Sequence, residues 1–249
     1  MANRVLGFDV SVWQDNNGTI QQIDFNKMKK NGGEFVYIRS ILAKIKKDED
    51  FDYNWRESKK AGLLRGSYCF CDYRYKAVDV ATAFIKELEK DKGELPPSMD
   101  IEELVNVPFP SRYTILQWME QFSKMVESKM GIKPVLYTSP KYINAMKPIP
   151  DWLLEHDLWI AHYLLPFYMA MGNSPAFNPW KKYIFWQWTD RENGIKYGVE
   201  SKQIDADYFN GDLMDLYNYS EKYVGKKPVT EYTLEQKVEK LWNAHPELH

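Results

Sequence analysis

Met99-Asp100-Ile101-Glu102 carries two carboxyl groups at i and i+2, a spacing that sets both side chains on one face of an extended strand. Pro96, Pro97 and Ser98 lead into it and Ile101 separates the acids, so the pair reads as the tip of a strand rather than part of a solvated charge run. Asp9 stands at the end of another apolar run, and Asp205 follows Ile204 in a third. Four carboxyls meeting at one mouth repel one another when ionised, which raises the pKa of at least one until it holds a proton near neutrality. Paired carboxyls with split roles are what glycoside hydrolysis needs. Position is what favours chemistry here, because a bare D-x-E is also a common surface salt-bridge feature and an Asp at a strand end also caps loops.

The elements that must bring these acids together are short β-rich runs alternating with helical patterns, the mark of βαβ units and a parallel sheet. Eight runs are present: Val5–Val10, Phe35–Ser40, Leu64–Phe70, Ser98–Ile101, Pro134–Thr138, Leu158–His162, Tyr183–Trp188 and Gln203–Asp205. They predict an α/β chain with one parallel, TIM-like β/α barrel of eight strands over residues 1–220. In such a barrel the active site forms at the carboxyl ends of the strands. The runs end at Asp9, at Asp100 with Glu102, at Tyr137, at His162 with Tyr163, near Gln187 and at Asp205.

Asp24 is placed to cap a first helix that Gly32 and Gly33 end, and Tyr53–Ala61, Ala77–Asp91 and Ser111–Met130 each stop at or near a glycine. Ile115, Trp118, Met119, Phe122 and Val126 form one helical stripe and read as core. Leu164–Lys182, with Pro166, Gly172, Pro175 and Pro179, reads as an irregular loop, so some helices are expected to be shortened or missing. Residues 221–249 read as a linker and a C-terminal helix, opened by the capping box of Thr233 and Gln236 and carrying Leu234, Val238, Leu241 and Trp242 on one face. Packing on the barrel, a dimer contact and the start of a wall-binding module are all open for it.

Composition narrows the class of function. A chain of 249 residues suffices for one large α/β core. Its net charge of −2 comes from 33 basic and 35 acidic residues mixed along the chain, without the Lys/Arg stripe that neutralises phosphates, so nucleic acid is not an expected partner. No run of about 18 apolar residues occurs, and the first residues reach Asp9 without the apolar stretch of a secretion signal, so neither membrane insertion nor signal-led export is expected. Cys69 and Cys71, about 7 Å apart on a strand, read as free thiols. Four His and no second Cys pair leave no expected metal site. Nine Trp and seventeen Tyr at a mean hydropathy of −0.56 exceed what a core requires, and flat rings with polar handles suit sugar faces.

The ordered motifs now become specific. Gly7-Phe8-Asp9-Val10-Ser11 with Gln14, Phe35-Val36-Tyr37-Ile38-Arg39, Gly66-Ser67-Tyr68, Met99-Asp100-Ile101-Glu102, Pro134-Val135-Leu136-Tyr137-Thr138, Leu158-Trp159-Ile160-Ala161-His162-Tyr163, Trp186-Gln187-Trp188 and Ile204-Asp205 resemble, in order, those of glycoside hydrolase family 25 lysozymes. The similarity runs over about residues 5 to 217. It implies an N-acetylmuramidase that cuts the β-1,4 bond between N-acetylmuramic acid and N-acetylglucosamine, on a barrel with fewer than eight helices. It places the acid at Glu102, its partner carboxylate at Asp100 and further site acids at Asp9 and Asp205. Two residues depart from the family pattern: Cys69 follows Tyr68 where His is usual, and Asp207 stands where Asn is usual.

On that reading Glu102 donates a proton to the departing oxygen, a step worth about 10²–10⁴-fold. Asp100 orients the substrate's acetamido group for attack on the anomeric carbon, while inversion through a water activated by Asp9 or Asp205 stays open. Tyr68, Tyr137, Trp159, Tyr163, Trp186 and Gln187 are candidates for the sugar groove, with core packing the alternative for the tryptophans. His162 is equally a structural histidine, and Arg39 is expected to pair with one of the acids. No metal or organic cofactor is called for. The expected partner is the glycan of bacterial peptidoglycan, reached after lysis-linked release in the manner of a phage endolysin, with the oligomeric state open. A non-catalytic wall-glycan binder has no use for four crowded acids that cost stability. A chitinase-like barrel would carry a longer acidic run before its D-x-E, and a zinc amidase would need ligands that four scattered histidines do not supply.

Overall fold

The computed structural model describes residues 4–14, 22–164 and 174–224. Its strands are β1 (Val5–Val10), β2 (Phe35–Leu42), β3 (Lys46–Lys47), β4 (Leu64–Phe70), β5 (Ser98–Asp100), β6 (Val135–Thr138), β7 (Leu158–Ala161), β8 (Phe185–Asn193) and β9 (Gln203–Phe209). Strand β3 only folds back on the end of β2; the other eight close a barrel, with β1 paired to β2 on one side and to β9 on the other. Neighbours from β1 through β8 run parallel.

The expected eight-stranded barrel is present, with one strand reversed: β9 lies antiparallel to both β8 and β1. The cause is the length of the connection. Between Asn193 and Gln203 there is room only for a short 3₁₀ turn, Gly194–Tyr197, whereas a parallel crossover needs a dozen or more residues. Asp205 therefore does not end a strand, as the sequence suggested. It stands near the start of one that runs on to Phe209, and the reversal brings that start to the mouth, opposite Asp9.

Helices α1 (Phe25–Lys30), α2 (Phe51–Lys60), α3 (Ala77–Leu88) and α4 (Arg112–Met130) follow the expected pattern. The Asp24 side chain accepts from the Lys27 amide at 3.0 Å, Ser111 caps α4, and Gly131 ends it at φ 77°. Two short helices, α5 (Pro140–Ala145) and α6 (Asp151–Leu154), replace one long one between β6 and β7, and α7 (Leu213–Val224) follows β9. The described parts of the β7–β8 connection carry no helix. The rest of that connection and the tail helix around Thr233–Trp242 lie outside the described residues. No helix among the described residues is long and apolar enough to cross a membrane. Cys69 and Cys71 are buried free thiols.

Strand parity divides the core into two shells. Phe8, Val36, Ile38, Met99, Leu136 and Ile160 face outward and pack with Val80, Phe84, Met119 and Phe122 of α3 and α4. Phe35, Tyr37, Trp159, Phe185 and Phe209 fill the barrel itself. Those interior rings take the space that side chains on β1 and β4 would otherwise use. A Cβ on Gly7 would lie 2.3 Å from the Phe35 ring, and one on Gly66 2.3 Å from that of Tyr37. Both rings are fully buried and have nowhere to move. Gly66→Ala is expected to cost about 1–3 kcal/mol by overpacking, read as a lower denaturant midpoint at unchanged slope; an unaltered midpoint would show that the interior yields.

Candidate active site

The apolar fill stops one layer below the carboxyl ends of the parallel strands, and above it opens a cleft of about 730 Å³. Asp9 from β1, Asp100 from the end of β5, Glu102 two residues beyond and Asp205 from β9 all line it. Strand parity is the reason: Gly7 and Asp9 share the inner face of β1, as Asp205, Asp207 and Phe209 share that of β9.

Each acid is held differently. Gln187 donates from Nε2 to Asp9 Oδ2 at 2.7 Å, and its own Oε1 accepts from the hydroxyls of Tyr137 at 2.9 Å and Tyr163 at 2.6 Å. Two phenol donors thus fix the amide so that its NH₂ end faces the carboxylate. Burial, with the charge of Asp207 behind it, still raises the Asp9 pKa well above the carboxylate range. Asp100 is buried, its Oδ1 has no hydrogen-bond partner among the described residues, and burial followed by the charges of Glu102 and Asp9 raises it too. Burial lifts Glu102 to about 7 against the pull of the Arg39 guanidinium, and lifts Asp205 to about 8 with help from Asp9.

Arg39 enters the cleft but does not pair with a site acid, as had been expected. Its Nε donates to Asp48 at 2.8 Å, and the fully buried Asp48 also accepts from the Val12 and Asp50 amides. This leaves Arg39 acting on Asp100 and Glu102 only through space.

Tyr68, Tyr137, Trp159, Tyr163 and Gln187 line the cleft with the acids. Trp159 is its floor: only 1% exposed, it packs against Tyr37, Tyr68 and Tyr137, and its indole Nε1 donates to Asp207 Oδ1 at 2.7 Å. Trp186 must be corrected. It is fully buried in the outer shell, donates to the His162 carbonyl at 2.8 Å and carries the Arg4 guanidinium 4.7 Å from its ring centroid. Successive strand residues face opposite ways, so with Gln187 inside, Trp186 is outside. His162 is structural, accepting from the Ala176 amide through Nδ1.

Several cleft residues carry no signal in sequence. Trp13, 70% exposed, and Val105, 86% exposed, give the cleft apolar lining at the surface. Lys44 and Arg74 also line it. Asp207 lies buried against Asp9, with which its carboxyl shares a hydrogen bond, and burial raises it to about 7. The other departure, Cys69, is buried in the outer shell and does not reach the cleft.

Carboxyls raised in the folded chain have a consequence for stability. Glu102, Asp205 and Asp207 titrate near 7 to 8 when folded and near 4 when unfolded, so their stabilisation is complete below about pH 4 and is lost as pH rises through 7 to 8. The melting temperature is expected to fall between pH 5 and pH 9, and Asp207→Asn to flatten that fall by removing one titrating group. Calorimetric scans across that range check it; a melting temperature that climbs with pH would contradict the assignment.

The chain was compared with known proteins. The family model described as "Glycosyl hydrolases family 25" matches residues 8–196. The protein YegX of Escherichia coli O157:H7 is 30% identical over 218 residues, 85% of this chain and 72% of its own. Lysozyme M1 of Streptomyces globisporus is 24% identical over 85% of this chain and 70% of its own. The structure of a family 25 glycosyl hydrolase from Bacillus anthracis superposes with a TM-score of 0.73 at 26% identity, covering 87% of this chain and 93% of that one.

Proposed function

The chain belongs to glycosyl hydrolase family 25, and from that premise we propose that it cleaves the β-1,4 bond between N-acetylmuramic acid and N-acetylglucosamine in peptidoglycan. One observation carries the reading. Glu102, held at about 7 by burial, is largely protonated in mildly acid solution and about half protonated at neutrality, and stands two residues after the buried Asp100, whose Oδ1 has no partner among the described residues. The name of the Streptomyces globisporus relative, a lysozyme, supports the cell wall as the source of substrate.

Glu102 acts as general acid toward the departing glycosidic oxygen. Asp100 accepts from the substrate's acetamido N–H through Oδ1, turning the amide carbonyl oxygen toward the anomeric carbon, where it attacks and expels the leaving sugar. Water then opens the resulting ring with Glu102 as base, and configuration is retained. Asp9, oriented by Gln187, and Asp205 line the same cleft, where the charge of Glu102, once ionised, helps to raise both. Tyr68, Tyr137, Tyr163 and the floor at Trp159 shape the sugar groove.

The test is digestion of purified peptidoglycan, borohydride reduction and mass analysis of the new ends. Reduced muramic acid at the ends is expected. Reduced glucosamine would place the cut at the other bond, free amines would indicate an amidase, and binding without new ends would indicate a glycan-binding protein. Retention at the anomeric centre, followed by NMR, is the expected stereochemistry; an inverted product would remove the acetamido route.

A further inference from the structure

The cleft that holds the acids has a basic shoulder. Lys44 lies in the turn after β2 and Arg74 in the loop after β4, and one residue, Asp72, builds the shoulder from both. The Asp72 carboxylate is 1% exposed and accepts from the Lys44 amide at 2.9 Å, from the Arg74 amide at 3.2 Å, and from Arg74 Nε and Nη2 at 2.8 and 2.6 Å. With four donors on it, Asp72 has no lone pair left for the Lys44 ammonium, which makes no ion pair among the described residues. Lys44 and Ile45 stand in the left-handed region at φ 64° and 55°, a conformation that costs side-chain-bearing residues free energy and is worst for a β-branched one. The Lys44 amide held by Asp72 keeps that turn in place, and the turn puts a cation on the rim of the cleft.

We propose that Lys44, with Arg74 beside it, binds a carboxylate carried by the substituent on the muramyl residue, so that the cleft selects the anionic, peptide-bearing glycan over a neutral one. The proposal rests on the glycan substrate proposed above. The sugar backbone of such a strand is uncharged, and its carboxylates sit on the lactyl-peptide branch, so an unpaired cation on the rim of the cleft fixes which side of the strand carries the branch. A phosphate on the muramyl residue offers the same charge from a different source.

Lys44 binds substrate away from the bond that is cut, so its contribution appears in KM rather than kcat. The substrates are sacculi from a wall without teichoic acid, the same sacculi with carboxylates converted to neutral amides by carbodiimide and ammonia, and phosphate-bearing walls before and after hydrofluoric acid. Binding by sedimentation and release of reducing ends are both read. Lys44→Gln is expected to raise KM and weaken binding about 2–5-fold on unmodified sacculi, Lys44→Glu more, with kcat unchanged, no effect on amidated sacculi, and the difference fading at high salt. Equal KM and binding for wild type and both variants on unmodified sacculi would overturn the proposal, as would a Lys44 effect that appears only with phosphate. Turnover without Lys44 dependence removes this inference alone. Lys44-dependent binding without turnover removes the hydrolytic reading alone.

Discussion

Glu102→Gln lowers kcat on peptidoglycan by about 10²–10⁴-fold, with KM changed little and the fold intact. The amide keeps the shape and most of the contacts of the carboxyl but has no acidic proton for the departing oxygen. Two of the other cleft acids are not free to substitute. Asp100 is buried below the rim, and Asp9 is committed to Gln187. The wild-type enzyme should lose activity as pH rises past about 7, where the Glu102 proton is lost, and that limb belongs to the coupled acids as a group rather than to one of them. In the Gln variant the residual rate should lack this alkaline limb. Because the substitution removes a group that resists ionisation in the folded chain, the variant should melt no lower than wild type at pH 8. Activity within tenfold of wild type would take the acid role from Glu102.

How much of this was legible in sequence depended on whether a residue's direction follows from strand alternation. Asp9, Asp100 and Glu102 were readable because they end runs whose direction a barrel fixes. Asp205 was identified for a reason that does not hold, since its strand runs the other way and its amino end reaches the mouth. The gap between Trp188 and Gln203 is long enough by count for a crossover, and only the run of β8 on to Asn193 leaves too few residues for anything but a hairpin. Trp186 was assigned to the groove beside Gln187 although adjacent strand residues cannot share a face, so parity alone sufficed to exclude it. Trp13, Val105 and Lys44 are another matter. They reach the cleft through turns whose shape depends on tertiary contacts, above all the Lys44 amide on Asp72, and no local pattern announces a left-handed Lys-Ile pair. Arg39 was read as a strand-end cation and found its carboxylate in Asp48, which lies on the loop after β3 and had no reason to stand out among the acids of the chain.

Asp100→Asn is expected to lower kcat by about 10²–10³-fold, the range for removing one group preorganised toward a charge that grows in the transition state. Asp100 presents a buried oxygen, Oδ1, that nothing among the described residues satisfies, at the end of a strand packed on both sides by β4 and β6. An acceptor left unpaired in a buried site costs stability, and a donor from the substrate would remove that cost while fixing the orientation of the acetamido group. Asparagine presents either a neutral oxygen or an NH₂ there, and neither polarises the amide as a carboxylate does. The role can be separated from a general loss of electrostatics by changing the substrate as well as the residue. On glycan stripped of N-acetyl groups the wild-type enzyme should slow as far as Asp100→Asn does on intact glycan, and the variant should lose little more, because both changes delete the same interaction. Losses that multiply would show that Asp100 works on something other than the acetamido group, and would favour a water-mediated route through Asp9 or Asp205.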